Sequence, residues 1–88
     1  MSAIYRYEVP VDDRPHTFAL VGDPLAVGRR KPMVVEFWAL HSDESEAQRR
    51  NFQVVGTGQP LPANYVRHWG YAYDFEGEIV WHLIEVKP

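Results

Sequence analysis

The sequence predicts an all-β domain, a small antiparallel sandwich or partly open barrel of six or seven short strands with at most one helical turn. Two observations predict it. Seven prolines and six glycines cut the 88 residues into short runs, and those runs are rich in β-branched and aromatic residues, many of them alternating with polar ones. No stretch carries the apolar stripe of an amphipathic helix.

The elements follow in order. From Ala3 to Val9, Tyr5, Tyr7 and Val9 alternate with Arg6 and Glu8, the period-two pattern of a half-buried strand. A polar turn spans Pro10 to Pro15. His16 to Val21 is the second strand, ended by Gly22-Asp23-Pro24, and Leu25 to Arg30 is a weaker third, closed by Arg29-Arg30-Lys31-Pro32. Met33 to Leu40 is the strongest strand, since only Glu36 breaks its apolar run and both faces can be covered. The charged segment Ser42 to Arg50 reads as a hairpin loop, with one helical turn capped by Ser42 as the alternative. Asn51 to Thr57 is then the returning strand. Gly56, Gly58, Pro60 and Pro62 fix an irregular connection after it, because glycine permits positive φ and proline stiffens the exit.

Val66 to Phe75 and Ile79 to Val86 form a hairpin turning at Glu76-Gly77. A two- or four-residue loop pairs Phe75 with Glu78, Tyr73 with Val80, Tyr71 with His82 and Trp69 with Ile84. The other face then pairs Ala72 with Trp81, Gly70 with Leu83 and His68 with Glu85, setting small against large and histidine against carboxylate. A one-residue slip would invert the two faces.

Composition limits the function. The chain has room for one domain, residues 1–88, and a domain this small is thinly stabilised. With no cysteine, neither a disulfide nor a thiolate zinc site supplements its core. The first residues lack the pattern of a signal peptide, and no run approaches the ~20 apolar residues of a membrane span. A cytoplasmic protein with no membrane partner is the expectation. Nine Lys and Arg against twelve Asp and Glu give a net charge of −3, which argues against a protein that binds by neutralising phosphates.

Chemistry-bearing groups are sparse. His16, His41, His68 and His82 lie on four separate segments, whereas a zinc site needs three or four converging ligands. The expected register also puts His68 and His82 on opposite faces, so no metal site, cofactor or catalytic residue is predicted. Thr57 would need a base to act as a nucleophile, and the sequence does not say which histidine reaches it. Asp43, Glu44 and Glu46, like Glu76 and Glu78, fall in exposed turns. Gly56-Thr57-Gly58 lacks the downstream Lys-Ser/Thr and the helix of a phosphate loop.

What remains is an aromatic surface. Trp69, Tyr71, Tyr73 and Phe75 line one strand face, with His82 beside them, and such clusters mark interfaces. The leading expectation is therefore a non-enzymatic interaction domain that binds itself, as a homo-oligomer, or another protein. A nucleic-acid module using Arg67, Arg29, Arg30 and Lys31 around the same aromatics is the first alternative. The second is a ligand-binding domain or small enzyme with a pocket near Thr57, Gln59 and His82.

Two segments carry a family pattern: Phe52-Gln53-Val54-Val55-Gly56-Thr57-Gly58-Gln59-Pro60-Leu61-Pro62, and Val80-Trp81-His82-Leu83-Ile84-Glu85 after Gly70. With Ile4-Tyr5-Arg6-Tyr7 and Phe37-Trp38-Ala39-Leu40, they resemble a family of small proteins of unknown function from actinobacteria and the bacteriophages that infect them. The resemblance implies a phage or prophage protein in the host cytoplasm, and it implies no mechanism. That family usually has histidine where this chain has Gln59, which argues against a metal or catalytic role at that position.

Overall fold

The computed structural model describes all residues from Met1 to Pro88 and contains seven strands and no helix. They are β1 (Ser2–Pro10), β2 (His16–Leu20), β3 (Pro24–Lys31), β4 (Val34–Ser42), β5 (Gln48–Gly56), β6 (Tyr65–Tyr73) and β7 (Val80–Val86). One sheet has the order β1-β4-β3 and the other β2-β5-β7-β6, with every pairing antiparallel. The molecule is an open two-sheet sandwich. No helix is long and apolar enough to cross a membrane.

The expected hairpin across Ser42 to Arg50 does not form. β4 is the centre of the first sheet and β5 belongs to the second, so the segment carries the chain from one sheet to the other. The segment reads as a hairpin loop because it has no apolar stripe, which makes β5 the returning neighbour of β4. The two strands instead face each other across one core. Glu36 breaks the run because it points outward, where Arg30 and Arg6 pair with its carboxylate at 2.7 and 3.6 Å.

The core is built where the two inner faces meet. Val9, Leu20, Val35, Phe37, Ala39, Phe52, Val54 and Leu83 are buried together. Phe37 sits at the centre of a ring cluster, stacked on Tyr7 at 5.1 Å and packed against Phe52 at 5.2 Å and Phe18 at 5.5 Å. Offset and edge contacts of this kind add to the burial of the rings themselves. At one corner β3 runs close against β6. Gly70 permits the approach, since a Cβ there would come within 2.6 Å of Val27 Cγ2.

The β6–β7 hairpin keeps its expected register at the turn end: Tyr73 opposes Val80, Ala72 opposes Trp81, Tyr71 opposes His82 and Gly70 opposes Leu83. Below Gly70 the register shifts. His68 opposes Ile84, where Glu85 was expected, and a second irregularity falls between Tyr65 and Arg67. Trp69 is the extra residue of the first bulge, so it turns inward and packs against the core while His68 turns out. The inward indole is held by its Nε1–H donating to Glu85 Oε1 at 3.0 Å. Glu85 in turn accepts two bonds from Arg50, whose third bond reaches Asp23. Phe75, expected to pair with Glu78, lies beyond the end of β6 in the turn, over the guanidinium of Arg29.

Candidate functional site

The outer face of the four-stranded sheet carries the site. Val55, Ile84 and Val86 point away from the main core yet are buried as a small cluster of their own. The connection between β5 and β6 folds over that face. Its start is fixed by Gln59, whose N–H donates to Gly56 O and whose Oε1 accepts from Gly56 N–H, and by Thr57 N–H donating to Val80 O at 3.0 Å. Its end is tied to the C-terminus by reciprocal bonds between Asn64 and Lys87.

Each residue of the expected structural turn has a place there. Gly56 ends β5, with the Trp81 ring 3.3 Å from where a Cβ would stand, and Gly58 adopts φ +92°. Pro60 is exposed, and Pro62 accepts a bond from Tyr65 N–H.

Between loop and sheet lies a pocket of about 250 Å³. Val55 and Ile84 form its floor, Leu61 and Tyr65 line its sides, and Thr57, His82 and His68 form a polar end. A hollow of about 380 Å³ on the loop's other side is lined by Asp13, Gln53, Gln59 and the proline segment. Its polar groups, Asp13, Gln53 and Gln59, meet no apolar floor, so the smaller pocket is the better candidate.

The polar end is a connected chain. Thr57 Oγ1 lies 2.7 Å from His82 Nε2, and His82 Nδ1 lies 3.0 Å from His68 Nε2. Two directions satisfy it. In one, the Thr57 hydroxyl donates to Val80 O at 3.3 Å, His82 Nε2–H donates to Thr57, and His68 Nε2–H donates to His82. In the other, Thr57 donates to His82 and His82 donates to His68. Either tautomer set is complete, so the chain can hold a proton at one end or the other. Burial, with the neighbouring His68 charge adding to it, holds the His82 imidazole below the usual histidine range. A neutral His82 is therefore favoured at neutral pH, with a ring nitrogen able to accept.

The bulge at Trp69 makes this possible. The expectation that His68 and His82 sit on opposite faces is overturned, because the extra residue moves His68 onto the side of His82 and Tyr71. Trp69 correspondingly leaves the face it was expected to share with Tyr71 and Tyr73. Those two tyrosines stay on the outer face, 54% and 60% exposed, with Phe75 60% exposed beyond them. Tyr71 and Tyr73 stand edge to face at 5.9 Å.

The basic residues do not converge. Arg30 pairs with Glu36 and Lys31 with Glu8, while Arg29 lies over Phe75 and Arg67 over Trp69. Missed in the sequence were His68, Tyr65, Leu61 and the two floor residues. Gly70, a glycine inside a strand pattern, was the available signal that the ladder is irregular there.

Fold and site together define a small two-sheet β domain with one loop-covered pocket. The chain belongs to a family described as a domain of unknown function (DUF7352), whose sequence model matches residues 1–88. No curated protein and no solved structure matches it.

Proposed function

We propose that this chain is a small-molecule-binding domain whose occupant lies between the β5–β6 loop and the outer sheet face. The observation that carries the reading is the pocket itself: an apolar floor of Val55 and Ile84 meeting three convergent polar side chains, Thr57, His82 and His68. That combination of apolar walls and a few placed hydrogen-bonding groups is the usual make-up of a ligand site. At about 250 Å³ it falls just below the roughly 300–1,000 Å³ of most such sites. The occupant is accordingly a compact molecule with an apolar body and one hydrogen-bonding end. The resemblance of the Gly-Thr-Gly-x-Pro-Leu-Pro and Trp-His segments supports a setting in an actinobacterial host cytoplasm, with a phage or prophage origin.

The test is a fragment screen followed by amide chemical-shift mapping on labelled protein. Shifts clustering on Val55, Thr57, Leu61, Tyr65 and Ile84 support the reading. Fragments that bind only elsewhere, or none that bind, overturn it.

A second reading rests on a separate observation, the contiguous exposure of Tyr71, Tyr73 and Phe75. It makes this edge of the sheet a contact for a second copy or for a host protein. It does not compete for the pocket, because these rings lie toward the β6–β7 turn.

A further inference from the structure

We infer that His68 and His82 together take one divalent transition-metal ion, bound through His68 Nε2 and His82 Nδ1 at the polar end of the pocket. The inference deepens the ligand-site reading, and three observations carry it.

The first is spacing. Metal–imidazole bonds of about 2.0–2.1 Å place two ligand nitrogens roughly 2.9 Å apart at a right angle and about 3.3 Å apart at a tetrahedral angle. His68 Nε2 and His82 Nδ1 are 3.0 Å apart, inside that span and near its right-angled end. The second is the tautomer. Thr57 Oγ1 stands 2.7 Å from His82 Nε2 and can donate its own hydrogen bond to Val80 O at 3.3 Å. With Nε2–H donating to Thr57, the lone pair of Nδ1 faces His68, and an oxygen on a ligand histidine's second nitrogen is the common way such rings are oriented. The third is the setting. No lysine or arginine lines the pocket, so no fixed cation opposes an incoming one there. On binding, the His68 proton moves from Nε2 to Nδ1 by exchange with water, which frees the Nε2 lone pair, and the ion replaces the hydrogen bond between the rings.

The ligand chemistry selects the ion. Two neutral imidazoles suit copper, nickel and zinc rather than calcium or magnesium, and a near-right angle suits Cu²⁺ or Ni²⁺ best. No further His, Cys, Asp or Glu completes a three-residue group. The remaining positions therefore go to water or to an oxygen or nitrogen of the pocket's occupant. Thr57 is a positioning residue in this arrangement.

The experiment is calorimetric titration of the full chain with CuCl₂, and separately ZnCl₂, in a non-coordinating buffer. One saturable site is expected, tighter for Cu²⁺ than for Zn²⁺. His68→Ala lowers affinity at least tenfold, Thr57→Val about tenfold, and the pair His16→Ala with His41→Ala leaves it unchanged. His68 is exposed on an edge strand, so His68→Ala reads the site even if a change at His82 disturbs folding. Absence of saturable binding overturns the inference, as does binding that survives His68→Ala or disappears with His16 and His41. Metal uptake without any fragment in the pocket would refute the small-molecule reading alone. Fragment binding without metal uptake would refute only the metal site.

Discussion

His68 faces His82 because Trp69 does not face Ile84. One extra residue in β6 sends the indole inward to Glu85 and brings two imidazoles within 3.0 Å on the opposite side of the sheet. The pocket's chemistry thus depends on a bulge whose fastening lies in the sandwich interior.

That fastening can be weakened. Trp69→Phe keeps an aromatic ring against the core but removes the donor to Glu85. A bond to a charged group is worth about 1.5–3 kcal/mol, and Glu85 keeps its two bonds from Arg50. The expected loss is therefore near the lower figure, measured by urea unfolding. Phe in place of Trp with no loss would mean that the indole nitrogen does not hold the bulge.

Gly70→Ala should destabilise by steric conflict, since its Cβ would stand 2.6 Å from Val27 Cγ2. Overpacking of this kind costs about 1–3 kcal/mol. Combining it with Val27→Ala removes the offending methyl, though the Val27 Cβ would still stand 3.1 Å away. The double variant should thus show less than the sum of the two single losses, and strict additivity would contradict the close β3–β6 approach.

Phe37→Ala removes the ring on which Tyr7, Phe18 and Phe52 converge. A loss of about 3–5 kcal/mol is expected, a large share of what so small a domain has. Thermal unfolding measures it, and a shift no larger than that of a surface substitution would place the core elsewhere.

Glu85 gives a pH prediction. Its hydrogen bonds from Arg50, chiefly, hold its carboxyl below the ordinary glutamate range, with Trp69 and the charges of Arg50 and Arg67 adding to this and burial opposing it. The folded-state value is depressed, so this stability is present above the unfolded value of about 4.3. It is lost as pH falls from there through the folded value. Glu85→Gln should flatten that acid limb of the stability curve. An unchanged limb in the variant would assign acid unfolding to other carboxylates.

The second reading is tested by mass in solution. If the exposed tyrosines hold two copies together, light scattering gives a dimer or larger assembly that Tyr71→Ser with Tyr73→Ser returns to monomer. An assembly indifferent to both changes removes the tyrosines from the interface.

The sequence displayed the strands through their alternation and their turn residues, and it placed Tyr71 opposite His82 because that pairing lies on the near side of the bulge. It could not display the partition into two sheets. Val35, Phe37, Phe52 and Val54 look alike whether their strands are hydrogen-bonded neighbours or face each other across a core. Nor could it display the site. Period-two reasoning carries each residue's face from the one before, so the insertion at Trp69 inverts His68 and Arg67 below it, until the second irregularity restores Tyr65 to its expected face. Val55 and Ile84 are buried under a loop on the outer face, a covering that strand alternation does not reveal.

The most direct measurement is the nuclear Overhauser spectrum between the imidazole protons of His68 and His82 in the labelled protein. A strong cross-peak between the two rings is predicted, with further contacts from His82 to the Thr57 methyl. Contacts from His68 to the Glu85 side chain in their place, with Trp69 beside Ile84, would restore the unbulged register and leave the pocket without its polar end.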